Sequence, residues 1–401
     1  MDLIVLVAMI VLAASSADTP WQEAEQIFPV NPMQTHAPGI VECPNGDLIA
    51  SWYKGSEGSD GDASIWGARK RKGESKWSDP FLHWDTKGFT DLNTCMMIDS
   101  KNRLWLFWPT IIGGSLESAI MNYAVSTDYN NEGPPKWDRH AMILLKPADF
   151  AEDALKILGD GRVSVPRGAI QGDKNRNTPE AQEVQKNKIK DPMYQRLGWS
   201  PRCKPTVLPS GRILLPLYTD TWLISIMAVS DDDGMNWYAS QPLIGFGNIQ
   251  PTVLRRNDGS LVAYMRENGG RSKMRISEST DEGIHWSPVG LSELPNFGSG
   301  IDGVRLENGH WALIYNDKGR TSIVVSISED EGKTWKYTRH LEVHNAGRYQ
   351  YPAMIQGKDG TIHTVLSTFI APENQGEKEV KGIKHNAFNE AWVKAGDPAS
   401  K

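Results

Sequence analysis

The sequence predicts an all-β fold: a six-bladed β-propeller with a partly helical insertion between blades 2 and 3. Three observations predict it. A turn motif recurs at a fixed interval, a pattern of paired short strands alternates with it, and the composition is rich in Gly, Pro and Trp. The motif is Ser-x-Asp-x-Gly-x-x-Trp, at Ser230, Asp232, Gly234 and Trp237, again at Ser279, Asp281, Gly283 and Trp286, and again at Ser328, Asp330, Gly332 and Trp335. Its tryptophans are 49 residues apart, a period that marks a repeat architecture. A stretched copy reads Ser126, Asp128, Gly133, Trp137, and a worn one keeps Gly73 and Trp77. In such a turn Asp accepts backbone N–H groups, Gly supplies positive φ and Trp covers the corner, so the motif is expected to be a structural clasp between strands.

The second pattern is a polar opening residue, an apolar strand, a turn and another apolar strand. Six copies begin at His36, Asn93, Arg202, Gln250, Gly300 and Tyr351. Their turns are Asn45-Gly46, Lys101-Asn102, Ser210-Gly211, Asp258-Gly259, Asn308-Gly309 and Asp359-Gly360. Turn dipeptides between β-rich runs indicate hairpins, and six such hairpins at blade spacing imply six four-stranded blades around an axis. With 37 Gly, 24 Pro and 15 Trp, residues 18–401 read as one large all-β domain rather than several smaller ones. The stretch between Trp137 and Arg202 is too long for a blade. Its charged, helix-compatible segments at 149–158 and 178–188 define an insertion at about 146–200, which either walls a pocket or is a solvated excursion.

Residues 3–14 are apolar and are followed by Ser15, Ser16 and Ala17, the pattern of a signal peptide over 1–17. The run is short for a bilayer span of about 20 residues. The expectation is therefore a secreted or periplasmic protein with no stable membrane insertion after cleavage. A net charge of −6 argues against nucleic acid as a partner. Cys43, Cys95 and Cys203 form no metal-binding spacing, and an odd number permits at most one disulfide; they are expected to be small buried residues. His83, His285, His363 and His385 are scattered, and no metal or cofactor is expected.

In a propeller the inner strands converge, so the residues that open them surround a central depression. Here these are His36, Asn93, Arg202, Lys204, Gln250, Asp302 and Tyr351. Polar groups converging from separate blades make a binding pocket the default expectation. The alternative is that they satisfy one another around a plugged channel.

With these repeats, the sequence resembles the sialidase (neuraminidase) superfamily of Asp-box, or BNR-repeat, proteins, of the bacterial exo-α-sialidase type, from about residue 29 to 385. That resemblance implies three arginines gripping a sugar carboxylate, since guanidinium forks match carboxylates bidentately. Arg266 ends an inner hairpin shortly before the box at Ser279, as the second family arginine does. Arg320, after Tyr315-Asn316-Asp317-Lys318-Gly319, matches the third, with Asp317 where the family has proline. The first arginine belongs to an Arg-Ile-Pro motif, and here His36-Ala37-Pro38 stands instead. Arg202 and Arg348 are candidate helpers, and Asn93, Lys204 and Asp302 further candidate contacts. Tyr351 matches the family's tyrosine nucleophile, with Tyr349 as fallback. Gln250 occupies the position of the glutamate that activates it, and a neutral amide cannot take a phenol proton. Asp62 is the closest match to the family's acid/base aspartate, followed by Asp60 and Glu57.

The resemblance thus implies a secreted glycosidase cleaving a terminal acidic sugar from a glycan or polysaccharide, with sialic acid the first guess. One alternative is a lyase or rhamnosidase-type enzyme acting on uronic-acid polysaccharides, with His36 and Tyr351 as acid and base. The other is a glycan-binding propeller without catalysis, which Gln250 favours.

Overall fold

In the computed structural model, residues 19–56, 62–159, 179–344, 347–371 and 379–398 are described. The signal peptide expected at 1–17 lies outside them, as do Glu57 and Asp60. Six antiparallel sheets follow one another along the chain, making a six-bladed β-propeller. Blade 1 comprises Gln34–Glu42, Leu48–Gly55, Ser64–Lys70 and Phe81–Trp84. Blade 2 has an inner strand in two pieces, Thr90–Asp91 and Cys95–Ile98, then Leu104–Ile111, Ala119–Ser126 and Arg139–Ile143. Blade 3 likewise splits its inner strand into Trp199–Pro201 and Thr206–Val207, before Ile213–Thr219, Ile224–Ser230 and Tyr238–Ala239. Blade 4 is Asn248–Arg255, Leu261–Glu267, Lys273–Ser279 and Gly290–Pro295, and blade 5 is Asp302–Arg305, Trp311–Tyr315, Ser322–Ser328 and Tyr337–Val343. Blade 6 takes Gly347–Gln356, Ile362–Ile370 and Val380–Phe388 from the end of the chain and its outer strand, Gln22–Gln26, from the beginning.

That last pairing closes the ring, with Gln22 opposite Phe388 and Gln26 opposite Lys384. A single carboxylate reinforces it: Glu25 accepts from Lys70, from the Trp77 indole at 3.2 Å and from His385 at 3.1 Å. The worn motif copy at Trp77 thus helps join blade 1 to blade 6.

Apolar clusters fill the interfaces between neighbouring blades. Val41, Ile49 and Ile65 of blade 1 meet Leu106, Trp108 and Ala124 of blade 2, and Leu306 and Ile314 of blade 5 meet Met354 and Leu366 of blade 6. The cluster between blades 2 and 3 also takes in Phe150, Ala154 and Ile189 from the insertion, whose helices are Phe150–Gly159, Pro179–Lys190 and Pro192–Arg196. The insertion is therefore docked on the core rather than solvated all round. Cys43, Cys95 and Cys203 are buried and free. Among the described residues, no helix is long and apolar enough to cross a membrane.

The repeated turn motif behaves as a clasp. The Ser230, Ser279 and Ser328 hydroxyls accept from the N–H groups of Gly234, Gly283 and Gly332 at 2.8, 3.0 and 2.8 Å. Asp232, Asp281 and Asp330 accept from N–H groups four residues on at 2.9, 2.9 and 2.8 Å. Gly283, at φ +84, could not carry a side chain, because a Cβ there would stand 2.7 Å from Leu214 of the preceding blade. These turns join third to fourth strands on one rim of the disc. The loops joining second to third strands lie on the opposite rim, as do the start of each inner strand and Asp62, Asp220, Arg271, Arg320 and Glu379.

Candidate active site

The inner strands of blades 1, 4 and 6 share a bulge, seen as register shifts between His36 and Gly39, Ile249 and Thr252, and Gln350 and Ala353. In each, a non-glycine residue before proline has positive φ: Ala37 at 53°, Gln250 at 56° and Tyr351 at 55°. Left-handed backbone is uncommon for such residues, and a following proline biases them toward extended conformations, so these turns are strained and held by their surroundings. Bulges re-aim side chains, and these bring Gln250 and Tyr351 together. In this register the blade 1 counterpart of Gln250 and Tyr351 is Ala37. His36 lies one residue earlier, level with Ile249 and Gln350. A strand alternates every residue, so a spacing comparison alone places His36 one position off.

His36 nonetheless reaches the centre. Its ring centroid lies 4.2 Å from that of Tyr351 and 5.3 Å from that of Phe369, and Nδ1 is 2.8 Å from the Ser367 hydroxyl. Burial, and then the charges of Arg202, Arg320, Arg266 and Arg348, push its pKa well below the ordinary value. His36 is therefore a neutral imidazole at pH 7.

Arg266 donates to the Tyr351 hydroxyl at 3.0 Å and to Gln250 Oε1 at 3.3 Å. Burial pushes the Tyr351 phenol up, yet Arg266, the Gln250 amide and Arg320 outweigh burial and nearby Asp220, and its pKa falls below the ordinary value. Gln250 accepts from the same Arg266 that holds the phenol, its Nε2 has no hydrogen-bond partner among the described residues, and a neutral amide cannot act as a base. Arg320 donates to Gln350 and, at 2.9 Å, to the Gly298 carbonyl. Burial, followed by Arg266, lowers its own pKa. Two close cations with few acids between them make an anion-seeking pocket.

The other expected contacts are each held by partners of their own. Arg202, buried, donates to the carbonyls of Pro38, Tyr351 and Pro352 and braces the strained bulges rather than opening into the pocket. Lys204 is paired with Asp302, which also accepts from Thr252 Oγ1 at 3.0 Å and Met354 N at 2.8 Å, a knot joining blades 3 to 6. Asn93 donates to the Tyr218 hydroxyl at 2.9 Å. Arg348 pairs with Glu379 at 2.7 Å, and Tyr349 has a phenol pushed up to about 12 by burial and Glu342. Asp62 is exposed and accepts from Ser56 N at 3.0 and 3.2 Å, and among the described residues it makes no hydrogen bond or ion pair with the central cluster.

Three residues at the centre carried no motif. Asp220, on the second loop of blade 3, has a carboxyl raised by burial against the lowering effect of Arg266, and it is in electrostatic contact with Tyr351. Tyr218 is raised well above the phenol range by burial and then by Asp220. Ser367 holds His36 and also accepts from Ala37 N at 3.1 Å. Asp220 was findable by position, since its loop is the blade 3 counterpart of the loops carrying Asp62 and Arg320. Among the described residues, His310, Glu329 and Glu390 form the one grouping with metal-ligand spacing, and Lys394 already bridges its two carboxylates.

Residues 199–364 match a family model described as a BNR repeat-like domain. Over 180 residues the chain is 27% identical to an anhydrosialidase of Macrobdella decora, covering 38% of this chain and 23% of that protein. The fold is similar to a leech intramolecular trans-sialidase complexed with 2,7-anhydro-Neu5Ac, at TM-score 0.65 and 12% identity over 90% of this chain and 69% of the other. It is also similar to a Penicillium chrysogenum α-L-arabinanase, at TM-score 0.54 and 13% identity over 91% and 98%. At these identities the structural likeness establishes a shared fold and leaves the substrate open. The chain is a six-bladed β-propeller similar in fold to those sialidases, and its residues 199–364 match a BNR repeat-like domain.

Proposed function

We propose that this protein is a glycosidase that removes a terminal acidic sugar from a glycan, with Tyr351 as the reacting group. One observation carries this reading: a phenol held at 3.0 Å by Arg266, drawn below its ordinary pKa, with a second arginine beside it. Arg266 and Arg320 would grip the sugar carboxylate, a match for guanidinium geometry. Tyr351 Oη attacks the anomeric carbon as the bond to the leaving oxygen breaks, and Asp220 takes the phenol proton. Asp62, on the loop of blade 1 that shares this rim, protonates the leaving oxygen. Water then releases the sugar from the tyrosine, the two-step course of a retaining enzyme with a tyrosine in place of the carboxylate nucleophile. Arg202, Lys204, Asn93 and Asp302 hold the scaffold in this scheme.

A second reading is favoured by the neutral His36 ring 4.2 Å from Tyr351. A neutral imidazole and an acidified phenol form an acid/base pair for β-elimination on a uronate whose carboxylate the arginines neutralise. The deciding experiment offers fluorogenic sialosides beside uronate oligosaccharides. Fluorophore release abolished by Tyr351→Phe supports the glycosidase, while new near-ultraviolet absorbance from an unsaturated sugar supports the lyase. Binding without turnover of either would leave a glycan-binding propeller.

A further inference from the structure

A cleft of about 1270 Å³ runs along blade 4 beneath the insertion, outside the central pocket. It is larger than a site for one small ligand requires. Its wall is built rather than incidental. Glu267, buried, is paired with Arg275 and also accepts from Gly269 N, which fixes the loop of residues 268–272 at one edge. Gly247 packs against Gly269 so closely that a Cβ there would lie 2.8 Å from its backbone.

The cleft adjoins the pocket through both carboxylate-gripping arginines. Arg266 donates to Asn268 Oδ1 at 3.4 Å and Arg320 to the Gly298 carbonyl at 2.9 Å, and Asn268 and Gly298 both line the cleft. Phe297 lies beside Gly298 and is 49% exposed, a flat apolar face of the kind that sugar rings stack on. Arg271, exposed on the same loop as Asn268, has no hydrogen-bond or ion-pair partner among the described residues. Asp153 and Lys156 of the insertion face them with opposite charges. An exposed aromatic face, one unpartnered guanidinium and near-balanced charge fit a neutral saccharide chain better than a polyanion or an apolar peptide.

We infer that this cleft is a chain-binding subsite, holding the neutral saccharide to which the acidic terminal sugar is attached. The inference rests on the proposed function for the terminal sugar's place, but its test reads binding rather than turnover. The full chain carrying Tyr351→Phe is titrated calorimetrically with a methyl sialoside, a sialylated trisaccharide and a sialylated pentasaccharide. Phe297→Ala and Arg271→Ala are added singly. Both side chains are exposed, and an unchanged melting temperature confirms folding.

The expected result is affinity that rises with chain length, and a loss of about tenfold for the pentasaccharide in either variant, with the methyl sialoside unaffected. Equal affinity for all three ligands, or a pentasaccharide indifferent to both substitutions, overturns the subsite while leaving the proposed function standing. In that case the cleft is filled by the chain's own residues or by solvent. Length-dependent binding that survives Arg266→Ala, with no methyl sialoside binding, keeps the subsite and removes the proposed function. No binding of any ligand overturns both.

Discussion

Glu25→Gln tests how the ring is closed. Burial pushes the Glu25 carboxyl up, but bonds from His385 and Lys70 and the Lys70 charge overcome it and bring the pKa to about 2, from 4.5. A depressed carboxylate pKa adds stability above the unfolded-state value and loses it as pH falls toward the folded one, here between about pH 5 and pH 2. Each unit is worth about 1.4 kcal/mol, so the ceiling is roughly 3 kcal/mol. Glu25 keeps 29% of its exposure, and screening by solvent reduces this to about 2 kcal/mol. Glutamine keeps the shape and removes the charge. Urea unfolding should show a deficit of about 2 kcal/mol for the variant at pH 7, shrinking to less than half that at pH 3. A deficit equal at both pH values, or none at pH 7, would refute the reasoning.

Other substitutions separate scaffold from chemistry. Arg266→Gln removes the donor that lowers the Tyr351 phenol, so kcat/KM should fall about 10- to 100-fold. The rising limb of its pH profile should move to higher pH, which a rate–pH series would detect. Arg202→Met strips the carbonyls of Pro38, Tyr351 and Pro352 of their donor and should cost about 3 kcal/mol or more in urea unfolding. Asp220→Asn should lower kcat while leaving KM within a few-fold, as steady-state kinetics would show; an unchanged kcat would remove Asp220 from the mechanism.

The architecture was legible because it is written in short-range chemistry. The Ser-Asp-Gly-Trp turns at 230, 279 and 328 close on themselves through their own hydroxyls and carboxylates, so their spacing reports blade spacing directly. The insertion was legible as helix, but not as docked, because Phe150 and Ile189 find their partners only across blades 2 and 3. The candidate site was harder to read. Arg266, Arg320, His36 and Tyr351 do converge, yet nothing local distinguishes Arg266, which meets a phenol, from Arg202, which meets three carbonyls. Both are arginines at the pocket end of an inner hairpin, and only the backbone path through the bulges separates them. The same bulge shifts His36 against Gln250 and Tyr351 by one residue, a change that counting cannot reveal. Asp220 lay in an unmarked turn, and its importance comes from burial beside Tyr218 and Tyr351.

The most direct test of the central claim is to incubate the full chain with an activated, fluorinated sialosyl donor that slows breakdown of a glycosyl-enzyme, then map the peptides by mass spectrometry. The account predicts one added sugar on the peptide containing Tyr351, absent in Tyr351→Phe and reduced in Arg266→Gln. A sugar attached to another residue, or turnover of the donor with Tyr351 never labelled, would contradict it.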